Sequence, residues 1–368
     1  MHHIMPSTSL RNDNDRWPPF NPFVRHKTSR LGVVLMLCTG IILVPIRLVG
    51  TILTLLLGWI WAKIALIGTE SADPSSTPYS ATRHKIISAG FRILARILLF
   101  CYGYIWINTV KHSSDGSYDK TKEKDMKPII PKVVVCNHTG FVELLYLAYY
   151  HGCSMVSKEE TKTLPFMGLI SQALQCIFVE REKGGGNNTS QKIRERLAAE
   201  PGKWPLLALA PEGTTTNGHT LIHFHTGAFR PGQPVLPIAT EMPFSPVWGY
   251  DPSFSCTNMN LHIIGLLSQP WNRLTVHELP VYVPSETEKA DAQLFANNVR
   301  RVIADGLKMP VCELQWKDKL LYEPSIKKQE LGKKYLMDKN NGVMPAAPVF
   351  TQDVFGNKLT VTVHEKKE

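Results

Sequence analysis

Val133-Val134-Val135-Cys136-Asn137-His138-Thr139-Gly140-Phe141-Val142-Glu143 is the stretch on which the fold turns. With Lys132, its first four residues form a strand, Lys132–Cys136, because β-branched side chains suit a pleated, buried surface. Asn137 to Gly140 is a turn, and Glu143–Tyr150 has helical texture. Strand, short polar turn and helix together make the repeating unit of an α/β fold. The alternation continues downstream. Ile177-Phe178-Val179 precedes a helical Gln191–Ala199, and strands follow at Leu206–Ala210 and Val235–Ile238. A later strand, Leu274–Val283, leads into a helix over Glu286–Leu307 with Ser285 as its N-cap. The expectation is an α/β protein whose sheet is flanked by helices.

Upstream the texture differs. From Leu31 to Gly68 the charged residues are Arg47 and Lys63. A straight helix of that length would run ~57 Å, against a hydrocarbon core of ~30 Å. Pro45-Ile46-Arg47 divides the run into halves of roughly 15–20 residues, each barely long enough to cross a bilayer. The reading is a membrane-embedded helical hairpin dipping into one leaflet, with two short spans as the alternative. Arg47 at a bilayer centre would cost several kcal/mol unless paired, which counts against one helix centred there. Ile86–Val110, with Arg92 and Arg96, reads as an amphipathic helix running into a strand; core packing is favoured, with a place on the membrane surface as the alternative.

Composition narrows the function. Lys and Arg total 41 against 31 Asp and Glu, a net charge of +10, which favours anionic partners. The excess is spread along the chain with no long basic arm, so nucleic acid is not expected as a partner. The seven cysteines are widely spaced and contain no C-x-x-C, so reduced thiols in a chain facing the cytosol are expected.

Four blocks carry chemistry. His138 and Glu143 stand at i and i+5 across a strand-to-helix junction. They meet if His138 precedes the helix and Glu143 lies in its first turns; the carboxylate then fixes the imidazole tautomer and raises the basicity of the other nitrogen. Arg181, after the strand ending at Val179, is placed to clamp a phosphate or to form a surface ion pair. Glu212-Gly213-Thr214-Thr215-Thr216-Asn217-Gly218 follows a strand and gathers three hydroxyls and a glycine turn, suited to phosphate or polyol. Pro237 inside Val235-Leu236-Pro237-Ile238 suggests an edge strand or a pocket wall. His219, His223 and His225 are discounted as a metal site because no carboxylate or cysteine nearby in sequence completes a ligand set. No G-x-S-x-G elbow supports a thioesterase or lipase.

The order of these blocks resembles the glycerophospholipid acyltransferase family, which includes 1-acylglycerol-3-phosphate acyltransferases. Within it the chain is most similar to the lysophosphatidylcholine and lysophosphatidylethanolamine acyltransferases. Val44-Pro45-Ile46-Arg47, the Glu212–Gly218 turn, Gly227-Ala228-Phe229, Leu279–Ser285 and Phe295–Arg300 carry that likeness. The resemblance covers roughly residues 31–311. Residues 1–30, polar and punctuated by prolines, read as a disordered cytosolic leader, and 312–368, polar with Pro345 and Pro348, as a C-terminal tail; between them the resemblance implies a hairpin anchor over 31–68 and a catalytic domain over 75–311. His138 would be the catalytic base and Glu143 its orienting acid. Arg181, Glu212, Gly213 and Thr214 would hold the acceptor's glycerophosphate, and Pro237 would shape a pocket. Partners would be acyl-CoA, a lysophospholipid and the lipid bilayer, with acyl-CoA as co-substrate and no cofactor or metal. The implied home is the endoplasmic reticulum membrane, with the Golgi as alternative and the catalytic domain facing the cytosol. Two residues depart from the family pattern: its usual acid is Asp, not Glu143, and a basic residue often stands where Thr226 does. Lysophosphatidate or glycerol 3-phosphate is the alternative acceptor, and a lipid-binding pseudoenzyme is the alternative of another class.

Overall fold

The computed structural model describes residues 21–69, 77–113, 129–179, 186–323 and 325–339. Seven strands form its sheet: β1 (Ile107–Lys111), β2 (Val133–Cys136), β3 (Ser154–Lys158), β4 (Ile177–Val179), β5 (Leu207–Leu209), β6 (Val235–Glu241) and β7 (Leu274–Glu278). Their order is β1-β7-β6-β2-β5-β3-β4, with β6 and β7 antiparallel and the other pairs parallel. The helices are α1 (Arg30–Ala65), α2 (Ala81–Cys101), α3 (Val142–His151), α4 (Met167–Ala173) and α5 (Gly186–Ala198). After them come α6 (Met259–Ser268), α7 (Glu286–Ala290), α8 (Ala292–Leu307) and α9 (Ile326–Lys339). The α/β sheet flanked by helices is therefore as the sequence predicts.

Strand β2 is buried on both faces, which is why it reads as an unbroken apolar run. Side-chain alternation sends Val133 and Val135 into one core with Ile193 and Leu197 of α5 and Phe295, Val299 and Ile303 of α8. It sends Val134 and Cys136 into the other core, with Leu99 of α2, Tyr146 of α3 and Leu266 of α6. The expected helix over Glu286–Leu307 breaks at Asp291, whose carboxylate caps α8 through Gln293 N and Leu294 N.

The N-terminal apolar run departs from expectation. Pro45 does not turn the chain: α1 is one helix of 36 residues with the proline inside it. An N-terminal helical hairpin exists, but its second arm is α2, and the two helices pack on each other. The buried positions of α1 are Gly32, Thr51, Thr54, Gly58 and Ala62, while its leucines, isoleucines and valines mostly face outward. Arg47 explains how one long helix tolerates a central charge. Its Nη1 donates to Leu267 O at 2.9 Å and to Gln269 O, and its Nη2 donates to Pro270 O at 2.8 Å. The guanidinium thus satisfies the carbonyls at the C-terminal end of α6, where the helix dipole favours a cation.

Two boundaries shift as well. The leader expected over residues 1–30 is partly structured: Phe23 is fully buried, and Pro22 O accepts from Asn217 N at 2.7 Å. The tail expected over residues 312–368 begins inside the catalytic body. Cys312 N bonds Leu221 O at 2.9 Å, and Cys312, Leu314, Asp318 and Lys319 are buried. The Pro345 and Pro348 region lies outside the described residues.

Candidate active site

His138 stands just past the carboxyl end of β2, the end at which parallel α/β sheets bind ligands. Asn137 fixes this exit. Its Nδ2 donates to Thr240 O at 2.9 Å, and its Oδ1 accepts from Thr240 N at 2.8 Å, so the ends of β2 and β6 are stitched together. The chain then curls so that Glu143, in the first turn of α3, reaches back to the loop. Its Oε1 lies 2.7 Å from His138 Nδ1 and accepts from Thr139 N at 2.9 Å and Gly140 N at 2.8 Å. The i and i+5 pair therefore meets as the sequence suggests. The carboxylate also satisfies two N–H groups of the loop just ahead of the helix, so one group braces the loop and partners the histidine.

With Nδ1–H given to Glu143, the lone pair lies on Nε2. The His138 side chain keeps 20% of its surface exposed, whereas Glu143 has none. A dry carboxylate behind a partly open imidazole is the arrangement a general base requires. Cys136, two residues earlier, is fully buried, and burial pushes its thiol well above the ordinary value. It stays a thiol with its sulfur in the core, unfit to be a nucleophile.

The Glu212–Gly218 turn holds the His138 backbone. His138 N donates to Glu212 Oε1 at 2.7 Å, and Thr216 N donates to His138 O at 2.8 Å. Glu212 is fully buried and its Oε2 has no hydrogen-bond partner among the described residues. Burial pushes this carboxyl up to about 8, although the N–H groups of His138 and Ile222 favour the anion. Its side chain supports the histidine loop and does not face a ligand phosphate, which its charged form would repel. Gly213 and Gly218 both have positive φ, +69° and +76°. A Cβ on Gly213 would sit 2.8 Å from the His225 ring, and one on Gly218 would sit 2.8 Å from Thr139 Cγ2. Both are places where only glycine lets the turn close on the site.

The three hydroxyls do not converge on one ligand. Thr215 Oγ1 donates to Phe254 O and accepts from Lys319 Nζ at 2.7 Å, while Thr216 is buried. Thr214 is left half-buried beside Gly213. Pro237 is also placed differently from the edge-strand expectation. It is buried in β6, an interior strand, opposite Val135 of β2. Its carbonyl accepts from Leu279 N at 3.1 Å, just past the last β6–β7 pair, so its missing N–H falls where β7 has ended. Arg181 lies outside the described residues. His223 Nδ1 lies 3.9 Å from Glu313 Oε2, and no cluster of three or more metal-binding side chains occurs among the described residues.

His138 opens onto a cleft of about 490 Å³. Leu144, Met155, Val156 and Leu209 contribute apolar lining, and His225, Arg230 and Trp316 stand among its polar and aromatic side chains. The lining, apolar with a cation at its edge, suits a ligand that combines an apolar chain with an anionic end.

Comparisons with known proteins address the family of the chain as a whole. A family model described as "Acyltransferase" matches residues 94–241, from α2 to the end of β6. "Lysophospholipid acyltransferase LPEAT1" of Arabidopsis thaliana is 31% identical over 337 residues, covering 83% of this chain and 82% of its own length. The chain belongs to the lysophospholipid acyltransferase family. Its Drosophila melanogaster relative, "Lysophosphatidylcholine acyltransferase", is 32% identical across 84% of this chain and 57% of its own length. "Lysophosphatidylcholine acyltransferase 2" of Homo sapiens is 32% identical across 82% and 53%. This acyltransferase thus spans little more than half of those two longer relatives. The crystal structure of the 1-acyl-sn-glycerophosphate (LPA) acyltransferase PlsC from Thermotoga maritima aligns with a TM-score of 0.46 at 14% identity, covering 75% of this chain and 95% of that one.

Sequence reasoning misses several residues of this acyltransferase's site. Lys319 comes from the expected tail, is buried, and donates to Thr215 O at 2.9 Å as well as to its hydroxyl. No local pattern marks it, because its partner is over a hundred residues away. Trp316 lies in the same segment. Arg230 follows the Gly227-Ala228-Phe229 block directly, and its place beside that block is the signal that could have found it.

Proposed function

We propose that this acyltransferase transfers a fatty acyl group from acyl-CoA to the free hydroxyl of a lysophospholipid, with lysophosphatidylethanolamine or lysophosphatidylcholine as the acceptor. The observation that carries the reading is the His138 Nδ1–Glu143 Oε1 contact of 2.7 Å at the mouth of a largely apolar cleft. His138 Nε2 takes the proton from the acceptor hydroxyl as that oxygen attacks the thioester carbonyl. The tetrahedral oxyanion collapses, the C–S bond breaks, and the proton passes from the imidazolium to the departing CoA thiolate. One ester forms for each thioester broken, and no covalent enzyme intermediate is required. Glu143 stabilises the imidazolium formed on the way. Arg181, Gly213 and Thr214 are the candidates for the acceptor's glycerophosphate.

The membrane is the source of the acceptor in this reading. Among the described residues, α1 is the helix long and apolar enough to cross a bilayer. It is docked on the protein at Arg47, at Thr39, whose Oγ1 donates to Ser268 O at 2.7 Å, and at Gly58 beside Ile170. Phe100, Trp106, Trp248, Leu261 and Trp271 outside α1 are exposed too. An apolar helix docked along the body, with exposed aromatics on neighbouring segments, supports embedding in one leaflet better than a free perpendicular span. The endoplasmic reticulum is the proposed site, with the catalytic domain facing the cytosol.

The test uses membranes from cells expressing the full chain, given labelled acyl-CoA and a panel of lysophospholipids. Acceptor-dependent phospholipid is the expected product. Free fatty acid alone would mean hydrolysis, and lipid binding without turnover would mean a pseudoenzyme; either would overturn the reading.

A further inference from the structure

The cleft that opens on His138 holds a cation that the proton-transfer chemistry does not use. Arg230 follows a short 3-10 turn, Thr226–Ala228, at the exposed edge of that cleft. The turn is anchored from below. Ala228 and Phe229 are buried, and the Phe229 ring lies against Phe295 of α8 at 5.0 Å between centroids. The guanidinium is held from one side: Arg230 Nε donates to Thr226 Oγ1 at 3.2 Å, and Arg230 N donates to Thr226 O at 2.9 Å. Neither Nη1 nor Nη2 has a hydrogen-bond or carboxylate partner among the described residues. The space in front of the turn is open, since a Cβ on Gly227 would meet nothing within 4 Å.

A guanidinium fixed through Nε, with both terminal nitrogens unused among the described residues, presents a planar fork that matches two oxygens of a phosphate. An exposed arginine with no carboxylate partner among the described residues, beside an apolar cleft and on a turn rooted in the core, is pre-organised for an anion that arrives with an apolar chain. We infer that Arg230 forms a phosphate subsite at the edge of the cleft, binding a phosphate of the amphipathic substrate that occupies it. This rests on the acyl-transfer reading, because both substrates proposed there carry phosphate. The two sources are the pyrophosphate and 3′-phosphate of the CoA moiety and the phosphodiester of the lysophospholipid.

Purified full-length protein in nanodiscs would be compared as wild type, Arg230→Gln and Arg230→Lys. Steady-state KM is measured separately for acyl-CoA and for lysophosphatidylethanolamine, and equilibrium Kd is measured for CoA and for a non-transferable ether lysophospholipid. Arg230→Gln is expected to raise KM and Kd for one of the two ligands about tenfold, with kcat changing much less, and Arg230→Lys to recover part of the loss. A rise confined to acyl-CoA and CoA assigns the subsite to the donor; a rise confined to the lysophospholipids assigns it to the acceptor. Unchanged KM and Kd for both ligands, or a fall in kcat alone, would overturn the inference. Should the wild type transfer no acyl group, the acyl-transfer reading fails, while the two Kd values still decide whether Arg230 binds phosphate.

Discussion

Along α1 and around His138 the chain turns polar groups inward, but the surroundings differ. On α1, Thr39, Arg47, Thr51 and Thr54 point to the protein or back to their own helix, and Leu37, Ile41, Ile42 and Ile46 stay exposed. Around His138, Asn137, Glu143, Glu212 and Thr216 are all buried, and each is hydrogen-bonded to backbone from another segment or its own loop. A few polar bonds fix α1 along a seam, and its outer face is apolar and exposed. The histidine loop is fixed from several sides and shares its bonds. Substitutions at the loop should therefore change the chemistry and leave the placement of α1 intact, and substitutions on the seam should weaken the docking of α1 and leave the chemistry intact.

The most direct attempt to break that contrast is His138→Ala. It should lower kcat by roughly 10²–10⁴-fold, the scale of general-base loss, while the protein stays in the membrane pellet after a carbonate wash. Release from the pellet would mean that site and seam are not separable. Glu143→Gln is next, with kcat expected to fall on the order of 10²-fold because an amide does not stabilise imidazolium. Glu143→Asp should keep part of the activity, limited by the shorter reach to the ring. Full activity in Glu143→Gln would return Glu143 to a purely loop-bracing role.

Lys319→Met sharpens the comparison inside the loop. It removes two bonds to Thr215 and should destabilise the fold by about 2 kcal/mol, read as a lower melting temperature in detergent, with a fall in kcat. Unchanged kcat would show that the Thr215–Thr216 strut does not reach His138. On the seam, Arg47→Leu leaves the C-terminal carbonyls of α6 without their donor. A loss of about 1–2 kcal/mol is expected, with kcat per folded molecule little changed.

The smallest effect is a pH dependence. The Glu212 carboxyl is pushed up to about 8 in the fold, against an ordinary value of 4.5. Between those values the folded chain holds a proton that the unfolded chain has released, so this group's contribution to stability falls as pH rises through the window. Glu212→Gln keeps an acceptor for His138 N but does not ionise. Its melting temperature should decline less than that of the wild type between pH 5 and pH 8. Parallel curves would place the Glu212 titration elsewhere.

Local features are legible in the amino-acid sequence. The strand, turn and helix around His138 lie within about twenty residues, so side-chain type and spacing determine both the element order and the meeting of His138 with Glu143. The family likeness and the apolar run at residues 31–68 are equally local properties. The roles of Glu212, Thr215, Thr216 and Lys319 are not legible there. A buried carboxylate and a phosphate-binding one look alike in a sequence; what separates them is whether protein or solvent lies in front of the oxygen. The course of α1 is settled in the same way. Pro45 and Arg47 read as a break because an isolated helix must bear both costs alone. Packed against α6, the helix meets three carbonyls that take the Arg47 charge, and it runs on past the proline. Sequence determined which elements form and which two residues meet at the turn. Tertiary contacts, made between segments distant in the sequence, decided which polar groups are buried and thus what each one does.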